Sequence, residues 1–85
     1  MRRNNMDISA ELLYVAKNGA KKTHLVYKVN LNFALVKKYL TRLTENGLLE
    51  SVNGMFFTTD KGARFLDQYE IMMPMSGTHG ARAIV

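Results

Sequence analysis

The sequence of 85 residues contains no cysteine and no tryptophan, and its only proline stands at position 74. The lack of cysteine excludes a disulfide framework and a thiolate metal site. No apolar run approaches the roughly 18 residues that a membrane span requires. Arg2 and Arg3 are not followed by an apolar segment, so no signal peptide is predicted. We therefore expect a cytoplasmic protein that does not enter a membrane.

Residues with catalytic or metal-binding chemistry are also scarce. The two histidines, His24 and His79, lie far apart, with no carboxylate or cysteine at metal-ligand spacing beside them. The glycines are scattered and form no phosphate-binding loop. We therefore expect that the chain is not an enzyme and uses no cofactor, metal or small-molecule substrate.

Acidic residues are outnumbered by basic ones, since twelve Lys and Arg against seven Asp and Glu give a formal net charge of +5. Residues 1–28 carry six basic and two acidic side chains, and residues 29–47 carry three and one. Residues 48–70 reverse this balance with two and four. The one-sided positive charge favours a polyanionic partner, with nucleic acid before an acidic membrane surface. The alternative is a generally basic protein without such a partner.

Helical periodicity predicts three helices in the first half of the chain, over residues 5–18, from 21 or 22 to 28, and over 32–46. Asn32 suits the N-cap of the third helix, and Gly47 suits its end. One face of this helix is predicted to be apolar and to face the core; its members are Phe33, Val36, Leu40 and Leu43.

The second half of the chain changes to strand-like periodicity. Asn53-Gly54 lies between two apolar segments, residues 48–52 and 55–58, and predicts a tight two-stranded hairpin. Thr58 or Thr59 then caps a fourth helix that ends at Pro74. This order predicts an α+β fold, mostly α, of the winged helix-turn-helix type. We assign the domain to residues 1–74, its last helix to about 59–73, and a flexible tail to 75–85.

Several separated blocks resemble, in the same order, the small archaeal winged helix-turn-helix DNA-binding proteins. The blocks are Gly19-Ala20-Lys21-Lys22-Thr23, Leu31-Asn32-Phe33, Val36-Lys37-Lys38-Tyr39-Leu40, Glu45-Asn46-Gly47-Leu48-Leu49-Glu50 and Phe57-Thr58-Thr59-Asp60-Lys61-Gly62. The resemblance implies a dimeric protein that binds double-stranded DNA and acts in transcription regulation or as a chromatin-associated, nucleoid protein.

In such a fold the third helix enters the major groove, and its apolar face must stay in the core. The outward face of this helix is therefore the predicted DNA surface, with Lys37, Lys38 and Arg42 as the main cationic contacts. Further candidates on that face are Asn32, Ala34, Leu35 and Thr41. Outside it, the candidates are Lys21, Lys22 and Thr23 at the start of the second helix and Asn53 at the hairpin tip.

Simpler interpretations stay open for each group. The cations of the third helix could coat a solvated face, Thr23 could only cap the second helix, and Asn53 could serve the turn alone. Arg2 and Arg3 could form a minor-groove arm or an untethered end.

The fourth helix carries more apolar surface than its own core requires. We expect it to form a homodimer interface through Phe65, Tyr69, Met72 and Met73. The alternative is that these side chains pack against the first helix, near Tyr14. Because fold alone does not determine function, a protein–protein interaction module within a larger complex is the competing hypothesis for the whole chain.

Overall fold

The computed structural model describes residues 4–72. The elements in chain order are α1 (Asn5–Val15) followed by a 3-10 turn (Ala16–Asn18), β1 (Ala20–Lys21), α2 (Lys22–Val29), α3 (Phe33–Glu45), β2 (Leu49–Val52), β3 (Met55–Thr58) and α4 (Asp60–Met72). This order confirms the predicted winged helix-turn-helix fold. The predictions for Arg2, Arg3, Met73, Pro74 and the tail lie outside the described residues.

The hairpin of β2 and β3 forms at the predicted place. Leu49 pairs with Thr58 and Val52 pairs with Met55 in antiparallel register. The two turn residues, Asn53 and Gly54, have φ angles of 50° and 82°. Asn and Gly tolerate this left-handed region best, which explains why a two-residue turn is possible here.

A short third strand was not predicted. Ala20 and Lys21 pair antiparallel with Phe56 and Met55, so the sheet has the order β1-β3-β2. Lys21 is therefore the last residue of β1 and the N-cap of α2, not the first residue of the helix. No side chain caps α2, and the interpretation of Thr23 as its cap is wrong.

The core is built around α1. Leu12 and Leu13 are adjacent in sequence, and both are completely buried. Successive residues of a helix point about 100° apart, so burial of both requires neighbours on two sides. Both α2 and α4 pack against α1 and provide these neighbours. From α2, Leu25 and Val29 are also completely buried.

The apolar face of α3 differs from the prediction at two positions. Val36, Leu40 and Leu43 are buried as expected, but Phe33 is 49% exposed. The whole first turn of α3 is exposed, so the buried stripe begins only at Val36. Tyr39, which the prediction left out, is buried, and its hydroxyl donates a hydrogen bond to Asn5 Oδ1 in α1.

The start of α4 is fixed against the end of α3 and the hairpin. Thr59 is the cap, since its Oγ1 accepts from the Gly62 N–H at 3.1 Å and donates to the Gly47 carbonyl at 2.6 Å. Gly62 is buried, and a Cβ at this position would lie 2.3 Å from the Leu48 carbonyl oxygen. Glycine is therefore required here by close packing.

Tyr69 joins the end of α4 to the start of α1. Its ring is buried, and its hydroxyl donates a hydrogen bond to the Asp7 carboxylate. Burial, followed by the bond and the charge of Asp7, raises the pKa of Tyr69 from 10.0 to about 12. The packing against α1 that was left as the alternative for this residue is thus observed, through its hydrogen bond to Asp7.

We predict that Tyr69→Phe destabilises the protein by about 2 kcal/mol at pH 8, because it removes a hydrogen bond to a charged group. The unfolded chain loses the tyrosine proton near pH 10, whereas the folded protein keeps it until about pH 12. The contribution of Tyr69 is therefore complete below pH 10 and is lost as the pH rises through 12.

Urea unfolding of both proteins between pH 8 and 12 measures this difference, which should shrink across that interval. Tyr27→Phe is the matched control, because Tyr27 is 80% exposed and should show no such trend. A difference for Tyr69→Phe that does not change with pH would contradict the prediction.

Candidate nucleic-acid interface

Three residues connect α2 to α3. Asn30 ends α2 in the left-handed conformation, with φ 55°, and its N–H donates to the Val26 carbonyl. Leu31 is half-buried and packs against the core. Asn32 begins α3 as its N-cap, and its Oδ1 accepts from the Leu35 N–H at 2.8 Å. The connection is therefore the turn of a helix-turn-helix.

The outer face of α3 carries the predicted cations together. Lys37, Lys38 and Arg42 are exposed, and they line one shallow depression with Ala34 and Thr41. Within residues 4–72, none of these three cationic side chains forms an ion pair or a hydrogen bond. Their charges are therefore free to bind an external anion. Glu45 borders the C-terminal end of the depression.

Lys22 extends this cationic surface toward α2. It lines a groove between α3 and the hairpin together with Lys37, Thr41 and Ser51. Its ammonium lies 5.3 Å from the centre of the Phe33 ring, at cation–π distance. Of the residues predicted at the start of α2, Lys22 is the one placed beside the outer face of α3.

Lys21 and Thr23 lie in a different groove. They border a cleft between α2 and the sheet, together with His24, Tyr27 and Met55. Asn53 is exposed at the hairpin tip, and its left-handed backbone is explained by the turn. Thus these three candidates do not line the grooves along α3.

Sequence reasoning missed two exposed residues near this surface and a third, Tyr27, in the cleft between α2 and the sheet. Phe33 was assigned to the core, although its position directly after an N-cap is a signal that a side chain can extend past the packed part of a helix. Ser51 lines the groove from β2, and only the fold brings it near α3. Tyr27 lies off the apolar stripe of α2, which its spacing from Leu25 and Val29 could have indicated.

In residues 4–72, no three His, Cys, Asp or Glu side chains lie close enough together to hold a metal ion. None of the helices in that range combines the length and the hydropathy needed to cross a membrane.

A family model described as winged helix-turn-helix matches residues 2–76. The chain belongs to the winged helix-turn-helix family. No curated protein matches it. In winged helix-turn-helix domains that bind DNA, the second helix of the motif lies in the major groove and the first crosses the backbone. These helices correspond here to α3 and α2, and family membership suggests DNA as the partner.

Asn32 has a structural task in this winged helix-turn-helix domain. A bidentate contact with adenine would need both the oxygen and the nitrogen of its amide. The oxygen already accepts the Leu35 N–H, and this bond holds the side chain over the start of α3. The geometry therefore supports Asn32 first as a cap.

We predict that Asn32→Ala lowers the free energy of unfolding by about 1 kcal/mol, because it removes this cap. Asn32→Ser is the matched control and should stay close to the wild type, since the serine hydroxyl caps a helix about as well. Urea unfolding of the three proteins measures the effect. Equal stability of the alanine and serine variants would show that capping is not the role of Asn32.

Proposed function

We propose that the protein binds double-stranded DNA through α3 and acts as a transcriptional regulator or a chromatin-associated protein of the nucleoid. The main support is the set of three exposed cations on the outer face of the second helix of a helix-turn-helix. These are Lys37, Lys38 and Arg42, and none of them forms an ion pair with another residue of the range 4–72. A helix of 13 residues is about 20 Å long, which is sufficient to follow the major groove over several base pairs.

The chemistry of these cations favours contacts with phosphate. A lysine ammonium acts as a point charge and lacks the planar fork with which arginine binds a base edge. We therefore expect strong dependence on salt and modest dependence on sequence, with each neutralised phosphate adding about −0.9 to the salt slope. Arg42 is the cation on this face that could bind guanine in a bidentate manner.

The start of α2 offers a second phosphate contact. No side chain caps this helix, so its first N–H groups are available to an anion, and Lys21 and Thr23 lie beside them. Because α2 crosses the DNA backbone in helix-turn-helix complexes, this position agrees with a supporting role for Lys21 and Thr23. Asn53, at the wing tip, stays a candidate backbone contact.

We predict that Lys37→Ala with Lys38→Ala weakens binding to every duplex and reduces the salt slope by about two. Fluorescence anisotropy with a random-sequence duplex at several salt concentrations measures both quantities. The matched control is Lys17→Ala with Arg64→Ala. It also removes two positive charges, one from the 3-10 turn that follows α1 and one from α4.

Unchanged duplex affinity in the α3 double variant would overturn the proposed binding face. If the wild type also showed no affinity for duplex DNA, the protein–protein interaction module would become the better hypothesis.

We further propose that the protein forms a homodimer through the end of α4. Ile71 and Met72 are 77% and 57% exposed, whereas Tyr69 is buried within the protomer and Phe65 is half-buried against its core. The contact surface of the proposed dimer is therefore centred on Ile71 and Met72, with Met73 next in sequence. A two-fold dimer would present two recognition helices to a duplex.

We predict that Ile71→Glu raises the dimer dissociation constant at least tenfold, because it places an unpaired charge in an apolar interface. Sedimentation equilibrium measures the change. Val52→Glu is the matched control, since Val52 is an exposed apolar residue of the wing, 41% accessible. A wild-type protein that stays monomeric at all concentrations would contradict the dimer.

A further inference from the structure

The first turn of α3 exposes only apolar side chains. Phe33 is 49% exposed, Leu35 is 36% exposed, and Ala34 between them is also exposed. None of the three side chains can donate or accept a hydrogen bond. Three successive exposed apolar residues at a helix start contribute little to the core, so their exposure points to a contact with a partner.

This turn occupies the part of a recognition helix that lies nearest the bases. In helix-turn-helix complexes the N-terminal residues of that helix contact base edges in the major groove. The cations lie behind and beside the turn, with Lys37 and Lys38 one turn later and the Lys22 ammonium 5.3 Å from the Phe33 ring. The polar residue next to the turn, Asn32, is engaged as the cap.

The cations and the apolar turn therefore divide the contacts to DNA. The lysines around the turn can bind phosphates on both sides of the groove. The turn itself contacts base edges through apolar side chains alone. The apolar group that an unmodified base pair presents in the major groove is the C5-methyl of thymine. A cytosine that carries a 5-methyl group presents the same surface.

We infer that Phe33, Ala34 and Leu35 form a patch that selects duplexes by the 5-methyl groups of their pyrimidines. This inference rests on the proposed binding of duplex DNA by α3. It assigns a direction to the modest preference among duplexes that the lysines alone would not produce: thymine over uracil, and 5-methylcytosine over cytosine.

The test compares two random-sequence duplex pools that are identical except that one contains deoxythymidine and the other deoxyuridine. Their hydrogen-bonding groups are the same, so any difference reports on the methyl group. The wild type should bind the thymidine pool more tightly, by about fourfold for each methyl group that is buried. A second pair of pools, with 5-methylcytosine or cytosine, should show a preference in the same direction.

Two double variants locate the origin of the preference. Phe33→Gln with Leu35→Gln keeps helix-forming residues but removes the apolar surface, so it should bind the thymidine and uridine pools equally. Lys37→Ala with Lys38→Ala should lose the same factor of affinity for both pools and keep their ratio.

The possible outcomes separate a failure of the methyl patch from a failure of DNA binding by α3. Wild-type binding that is clear but equal for both pools overturns the methyl patch and leaves DNA binding intact. A thymidine preference that survives in the glutamine variant overturns the assignment to Phe33 and Leu35. Absence of binding to any pool overturns the proposed function and this inference together.

Discussion

The complete burial of Leu12 and Leu13 is the constraint on which the rest of the fold depends. Because these neighbours point in different directions, α1 has to be covered on two sides, by α2 and by α4. Hydrogen bonds at the start of α1 reinforce this arrangement, since Asn5 accepts from Tyr39 of α3 and Asp7 accepts from Tyr69 of α4. The two longest helices of this short chain, α3 and α4, are thus both connected to α1.

The same helix, α3, supplies the core and the proposed site. Val36, Leu40 and Leu43 are buried, while Lys37, Lys38 and Arg42 are exposed. The helical repeat separates the two sets by direction, and the packing of the buried set holds the cations in a fixed orientation. Stability and binding are therefore coupled at α3, although no single side chain has to serve both.

Much of this arrangement could be predicted from local sequence patterns. The Asn53-Gly54 turn, the Asn32 cap and the cations of α3 depend on residues close in sequence, and propensity or periodicity is informative for such features. Strand β1 has only two residues, which is too short for a periodic pattern in the sequence. The burial of Tyr39 depends on where α3 meets the core, and only the packing of the folded chain determines that position. The contact between Tyr69 and Asp7 spans 62 positions, beyond the reach of any local pattern.

The junction between α3 and α4 is fixed by several bonds. Thr59 bonds to Gly47 and Gly62, the Lys61 ammonium donates to the Asn46 carbonyl at 2.9 Å, and the absence of a Cβ at Gly62 lets the backbone of Leu48 approach closely. These links fix the start of α4 relative to the end of α3. If two copies associate through their α4 ends, the separation and angle of their α3 helices follow from the length of α4. The spacing between two half-sites on DNA would then depend on the geometry of the junction between α3 and α4.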